Sequence, residues 1–285
     1  MGRHSRVLIT GLDGFTGYHL KNVLSEYGFE CVGLNCDLLD RKKVFSRVLE
    51  LSPKYVIHLA GISFAGEENV ASIYNVNVIG SLNLLDSLSE LDIFPSKVIL
   101  ASSATVYGNS NVSVLNESMS PKPLNHYGCS KLAMEFMAQN YVHKFPVLIA
   151  RPFNYTGPLH DKRFLIPKIV DAYRNKLQVL DLGNLEISRE FNDVRDVVNS
   201  YRLLMTSDIA AGMVNICSGK SIKLLNIIEI MDDIANLKMD VRINPKFVRE
   251  NDITDLSGDP SKLNMFINYS FCFDIENTLH SIYAQ

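Results

Sequence analysis

Residues 125–131 read NHYGCSK, placing Tyr127 and Lys131 four positions apart. On a helix that spacing puts both side chains on one face, one turn from each other. Such a pair is often plain surface packing, but it also has a chemical use. A phenol titrates near 10, so general acid–base work near neutrality asks for a lower value, and a lysine ammonium one turn away favours the phenolate by Coulomb attraction. Ser103, in SSATVYG, offers a hydroxyl that can hold the same reacting oxygen. Together the three could move a proton to or from an alcohol or a carbonyl.

A second group of residues says what could accompany that proton. TGLDGFTG sets Gly11, Gly14 and Gly17 three apart, between the apolar run RVLIT and a helical pattern. Glycines there permit a tight turn and let backbone N–H groups and a helix N-terminus approach a pyrophosphate. The spacing is G-x-x-G-x-x-G rather than G-x-G-x-x-G. A bare turn is the alternative, and the strand–turn–helix context favours the dinucleotide. Serine, tyrosine and lysine around a nicotinamide are a complete carbonyl/alcohol redox set. Dinucleotide sites usually end the second strand with an acid that binds the ribose hydroxyls. Here FECVGLN ends in Asn35, followed by Cys36 and Asp37. A 2′-phosphate is then not repelled, and Arg41 or Lys42 could meet it if they are not simply solvated helix residues. NADP(H) is favoured, with NAD(H) as the alternative.

The elements that must position these residues follow from periodicity. RVLITG (6–11), FECVGLN (29–35), YVIHLAG (55–61), KVILASS (97–103) and PVLIARP (146–152) are continuous apolar runs. Helical stretches separate them: GFTGYHLKNVLSEYG ending at Gly28, VASIYNVNVIGSLNLLDSLSEL, and YGCSKLAMEFMAQNYVHK. This alternation predicts an α/β fold, a doubly wound parallel sheet of the Rossmann kind buried on both faces. NCDLLD reads as passing straight into a third strand, which makes YVIHLAG the fourth. Ligands bind at the carboxyl ends of such strands, where GLDG, HLAG, SSATVYG and RPFNYTG cluster. Beyond residue 154 the alternation fades. A helix near 165–176, a helix over 192–205 and a strand at 213–219 that rejoins the sheet are expected. The division is a dinucleotide-binding domain of 1–153 and 191–219, and a smaller C-terminal lobe of 154–190 and 220–285.

Composition bounds the alternatives. The chain has 285 residues, 47% of them hydrophobic, which is enough for a large core. A formal charge of −3 argues against nucleic-acid binding, which needs concentrated Lys and Arg. No linker, repeat or block of like charge interrupts the chain. The start, MGRHSRVLITG, leaves no room for a signal peptide, and no apolar run is long enough to span a bilayer. The five cysteines are scattered and form no C-x-x-C pair, as suits a cytoplasmic protein rather than a disulfide scaffold or a zinc site.

GLDGFTG, HLAG, SSATVYG, YGCSK and RPFN together resemble the extended branch of the short-chain dehydrogenase/reductase superfamily, over most of the chain. The resemblance implies that Tyr127 is the acid–base, that Lys131 binds the nicotinamide ribose and lowers the tyrosine pKa, and that Ser103 is the third catalytic group. It assigns Gly11, Gly14, Phe15, Thr16 and Gly17 to the pyrophosphate turn and Asp37 and Leu38 to the adenine. Leu59, Ala60 and Gly61 line the cofactor, Asn77 matches the asparagine of an N-x-x-G helix, and Pro152 lies by the nicotinamide.

Within that branch, sugar-nucleotide 4,6-dehydratases carry an Asp–Glu pair after the serine, where this chain has Ala104 and Thr105. The epimerase–reductases that make GDP-fucose carry a cysteine where Thr105 stands. Cys129 is expected to point away from the tyrosine's side of the helix. SSATVYG is similar to UDP-galactose 4-epimerases, whereas RPFNYTGPLH, REFNDVRDVV, NICSGK and GDPSKL are similar to GDP-4-keto-6-deoxymannose reductases (GDP-D-rhamnose synthases). The resemblance thus implies an NAD(P)H-dependent reductase of a nucleoside-diphosphate 4-keto-6-deoxyhexose, GDP-linked by preference, making activated deoxysugars for surface glycans such as lipopolysaccharide. The alternatives are a UDP-glucose/galactose 4-epimerase and a non-catalytic NADP(H)-binding scaffold. Substrate contacts are implied for Thr105, Asn154, Lys168, Arg189 and Arg249, the arginines because a planar fork suits a diphosphate. Ion pairs of Arg189 with Glu190 or Asp193, and of Arg249 with Glu250, are the competing assignment. A homodimer through helices of the sheet domain, including the one bearing Tyr127, is implied as well.

Overall fold

The computed structural model describes residues 5–63, 68–110, 112–247 and 255–285. β1 (Arg6–Thr10) buries Val7 to Thr10 and delivers the chain to the glycine turn, from which α1 (Phe15–Glu26) returns to β2 (Glu30–Gly33). No third strand follows. NCDLLD is a loop, and Asp40 caps α2 (Arg41–Leu51) by accepting the Lys43 amide. A capping carboxylate ahead of Val44, Val48 and Leu51, which share one buried face, is a helix start that outweighs the loop's apolar residues. YVIHLAG is therefore the third strand, β3 (Tyr55–His58).

The long helical stretch that follows is divided. α3 (Val70–Tyr74) passes through a π-helical segment, Asn75–Gly80, into α4 (Ser81–Ser89). Then come β4 (Lys97–Ala101), a 3-10 turn at Ala104–Tyr107, the short β5 (Val114–Leu115) and α5 (His126–Ala138), capped by Asn125 on the Gly128 amide. β6 (Val147–Pro152) is buried along its whole length. Past it the elements are β7 (Tyr155–Thr156), α6 (Leu165–Arg174), β8 (Val179–Leu182), β9 (Ser188–Arg189), β10 (Asn192–Asp193) and α7 (Val194–Thr206). β11 (Gly212–Ile216), β12 (Ile222–Lys223), α8 (Leu224–Ala235), β13 (Asp240–Ile243), β14 (Asp255–Gly258), α9 (Ser261–Ile267) and α10 (Ile275–Tyr283) complete the chain.

Six strands form one sheet in the order β11-β6-β4-β3-β1-β2, every neighbouring pair parallel. From β1 the chain moves out to β2 and then crosses to β3 on the other side. The topological switch therefore lies between β1 and β3, where doubly wound sheets open a ligand crevice. β11 rejoins the sheet beside β6, as the run 213–219 led one to expect. Leucines and valines of α2 and α4, with residues of α5, pack one face, and residues of α1, α7 and α9 pack the other. α6, α8 and α10 form a separate apolar cluster with β8 and β13, away from the sheet.

Candidate active site

At the switch point the glycines are sterically required. Gly11 has φ +71°, and a Cβ on Gly17 would fall 2.1 Å from the Gly11 carbonyl oxygen, so only hydrogen fits where α1 meets the turn. Gly14, the N-cap of α1, offers no side chain to the first-turn amides, which leaves them for an anion. The Phe15 and Thr16 side chains face elsewhere. Phe15 stacks on His160 at 4.2 Å, and the Thr16 hydroxyl pairs with that of Tyr155 at 2.7 Å. What these two residues can give a phosphate is backbone.

Across the crevice lie Leu59, Ala60 and Gly61. A Cβ on Gly61 would sit 2.8 Å from Asn77 Oδ1 and 3.2 Å from Lys131 Nζ, so a side chain there would close the space between turn and helix. A glycine-lined cleft of this kind fits a dinucleotide. Asn77 is held rigidly: its Oδ1 accepts from the Ile62 amide at 2.8 Å, and its Nδ2 donates to Ile62 O at 3.1 Å and Ser130 Oγ at 3.0 Å. The π-helical segment carries Asn77, and such segments are frequent at functional sites.

Behind this wall His58 is buried in a directional chain. The Ala60 amide donates to Thr10 Oγ1, which pairs with His58 Nδ1 at 2.6 Å; Nε2 pairs with Ser81 Oγ at 2.7 Å, and Ser81 donates to Asn77 O. Because Ser81 has given its one proton to Asn77, Nε2 must be the donor and Nδ1 the acceptor. His58 is thus neutral, and burial, reinforced by the Lys131 charge, pushes its pKa down to about 3.

On α5, Ser130 donates to Tyr127 O, and Lys131 Nζ donates to Ala101 O at 2.8 Å, lying 5.9 Å from the Tyr127 ring centroid. Ser103 caps the 3-10 turn, accepting the Thr105 amide at 3.1 Å and pairing with the Thr105 hydroxyl at 2.9 Å. Gly128 lets the first turn of α5 press on this segment, since a Cβ would come 3.0 Å from Thr105 O. Ser103, Thr105, Tyr127 and Lys131 are thereby gathered in one place. Burial pushes the Tyr127 phenol up to about 12, and its hydrogen bond with Ser103 opposes this without cancelling it. Burial likewise brings Lys131 down to about 8, with Glu135 opposing. The expected net lowering of the tyrosine is thus not seen in the protein alone. The Lys131 ammonium is directed at Ala101 O, and desolvation dominates at the phenol. At neutral pH Tyr127 keeps its proton and stands as an acid.

The remaining sequence candidates are less uniform. Asp37 is exposed and its Oδ1 accepts the Leu39 amide, while Leu38 belongs to the core rather than to an open adenine crevice. Pro152 ends β6 at the carboxyl edge of the sheet, and Asn154, two residues on, is exposed. Lys168 donates to Asp181 O at 3.1 Å and lies 4.6 Å from the Phe247 ring centroid, within the α6 lobe. Arg189 donates to Ser188 O at 2.7 Å. The Glu190 carboxylate is held by Gly258, Ser218 and Asn192, and that of Asp193 by Arg195 and Thr278. Arg249 lies outside the described residues. Cys129 lines, with Ile73, Leu124, Asn125, His126 and Tyr127, a cavity of about 360 Å³. A somewhat larger cavity of about 400 Å³ lies between α6, α10 and residues 159–162.

Sequence reasoning missed His58, Ser102, Glu135 and Arg151. The last three form a buried cluster next to Ser103 and Lys131. Their signal was a lone acid in KLAMEFM and a lone base in PVLIARP, since a charge inside an apolar run needs a buried partner.

The model of the GDP-mannose 4,6 dehydratase family matches residues 34–282. The chain belongs to this family. A GDP-6-deoxy-D-talose 4-dehydrogenase of Aggregatibacter actinomycetemcomitans is 35% identical over 263 residues, covering 90% of either chain. A GDP-6-deoxy-D-mannose reductase of Pseudomonas aeruginosa is 31% identical, over 98% of this chain and 96% of the relative. Among solved structures, RMD from Pseudomonas aeruginosa complexed with NADPH superposes with a TM-score of 0.90 at 29% identity, covering 98% of either chain. A protein of Burkholderia cenocepacia J2315 for which epimerase activity is proposed superposes at 0.93 with 36% identity, over 99% of this chain and 98% of that one. This member of the dehydratase family therefore shares its whole architecture with NAD(P)-dependent oxidoreductases of nucleotide sugars.

Proposed function

We propose that this protein reduces the 4-keto group of a nucleoside-diphosphate 4-keto-6-deoxyhexose, GDP-linked by preference, with NADPH favoured over NADH. The observation that carries the reading is Lys131 one turn from Tyr127 on α5, with the Ser103–Thr105 segment pressed on that helix's first turn, beside a glycine-lined cleft. The family's name does not extend to its chemistry here. Elimination of water needs a carboxylate pair after the serine, and Ala104 and Thr105 supply none.

In this reading Gly11, Gly14, Phe15, Thr16 and Gly17 hold the pyrophosphate through backbone amides, and Leu59 to Gly61, Asn77 and Pro152 bound the nicotinamide half. Asp37, exposed after the second strand, borders the adenine. The bound dinucleotide supplies the hydride. Ser103 holds the substrate's C4 oxygen, and Tyr127 gives it a proton as negative charge develops there. Lys131, still mostly an ammonium at neutral pH, stabilises the phenolate left behind and binds the nicotinamide ribose. The lobe of 154–190 and 220–285 takes the nucleotide sugar, with Thr105, Asn154 and Lys168 near the sugar and Arg189 and Arg249 on the diphosphate. The absence of an acid at Asn35 and the NADPH of the Pseudomonas aeruginosa structure support the cofactor preference. Scattered free thiols suit a cytoplasmic enzyme, a homodimer supplying deoxysugar for lipopolysaccharide-type glycans.

A 4-epimerase is the second reading, favoured by the likeness to the Burkholderia cenocepacia protein. Following absorbance with NADPH and a panel of 4-keto-6-deoxy sugar nucleotides separates them. Net oxidation of NADPH is expected. Interconversion of UDP-hexoses with no net cofactor use would establish the epimerase instead. Because talose and mannose are C4 epimers, the configuration of the product also decides which of the two relatives' sugars is made.

A further inference from the structure

Next to Ser103 and Lys131 lies an ion pair that the chemistry above does not use. Glu135 stands one turn beyond Lys131 on α5, and Arg151 lies near the end of β6; they are 3% and 1% exposed. Arg151 donates Nε to Glu135 Oε1 at 2.9 Å and Nη2 to Oε2 at 2.5 Å, with its guanidinium 4.8 Å from the Tyr107 ring centroid. Ser102 donates to the same Oε1 at 2.5 Å. Ser102 directly precedes Ser103, and the carbonyl before it, Ala101 O, is the acceptor for Lys131. One carboxylate thus joins the strand end bearing Ser103, the helix bearing Tyr127 and Lys131, and the strand leading into RPFN. Buried ion pairs seldom add stability over apolar residues of similar volume.

We propose that Glu135 is a positioning residue for the reaction: its carboxylate fixes Ser102 and Ser103 against α5 and supplies the negative charge that holds Lys131 as an ammonium ion. This rests on the reading of Tyr127 and Lys131 given above. Facing Lys131 are Tyr127 and Glu135 from its own helix and His58 from β3, with Arg151 of β6 reaching it through Glu135. Tyr127 and His58 are uncharged at neutral pH, so among the described residues Glu135 is the anion felt at Lys131.

Glu135→Gln keeps the shape and removes the charge. Titration of the Lys131 ε-carbon by NMR in lysine-labelled protein is expected to show its midpoint lowered by about one unit or more. The pH profile of kcat should move acidward by the same amount, with, for a one-unit shift, about a fivefold loss at pH 8 that recovers at lower pH, and KM for the nucleotide sugar should hold. Because glutamine leaves the Arg151 charge buried without a counterion, Glu135→Leu combined with Arg151→Met is the second variant. An apolar pair preserves folding, and the same acidward shift is expected. A purely structural role would lower Tm and leave the Lys131 midpoint and the pH profile in place, which would overturn the proposal. The NMR titration needs no sugar. A shifted midpoint supports the proposal even if the unaltered protein reduces no 4-keto sugar, an outcome that counts against the substrate reading alone.

Discussion

The chemistry rests on where single protons sit. With Tyr127 pushed up to about 12 and Lys131 down to about 8, the first group to lose its proton as pH rises is the lysine. Reductive turnover should therefore be level below pH 8 and fall above it, long before the phenol ionises; a rate that stays flat to pH 10 would show that Lys131 is not needed as a cation. Tyr127→Phe should cut turnover about 10²–10⁴-fold, the usual worth of a positioned acid, while NADPH binding persists. Near-normal turnover in that variant would remove Tyr127 from the reaction. Ser103, Tyr127 and Lys131 could be picked out in the sequence because one spacing and one strand end encode them. Glu135 and Arg151 could not be paired, since they are 16 residues apart on a helix and a strand whose packing no local pattern specifies.

At the scale of elements, the apolar runs of the main strands reported directly on buried strands. Two features escaped. NCDLLD suggested a short connection straight into a third strand, whereas Asp40 caps α2 there. The π-helical segment at Asn75–Gly80 escaped because one extra residue per turn barely disturbs an apolar pattern that remains readable as α-helix. That segment is held to β3 through His58, and the tie has a pH cost. The unfolded chain protonates this histidine near 6.5, whereas the folded protein resists until about 3. Its stabilisation is complete above the unfolded value and is lost as pH falls through that window, by about 1.4 kcal/mol per unit. Tm should decline between pH 6.5 and 4.5, and less steeply in His58→Gln, measured against each protein's own value at pH 7.5. Parallel declines in the two proteins would show that other groups carry the acid sensitivity.

At the scale of the whole molecule, α6, α8 and α10 form their own apolar cluster apart from the sheet, beyond the point where the alternation fades. The proposed substrate contacts were legible only by resemblance, because Thr105, Asn154, Lys168 and Arg189 lie on separate elements with no common periodic signature. The proposed dimer face includes α5, whose Phe136 is 66% exposed, with Ile79 at 44% nearby in sequence to α4. Phe136→Glu should halve the mass seen by light scattering while the far-UV spectrum is kept; an unchanged mass would place any dimer contact elsewhere. The central claim, that a hydride and the Tyr127 proton are delivered to a C4 carbonyl, is tested most directly by isotope transfer. With NADPH deuterated at the transferable position and GDP-4-keto-6-deoxymannose, the product should carry one deuterium at C4, found by NMR. A product without that deuterium, or none at all from this sugar alongside interconversion of UDP-hexoses, would contradict it.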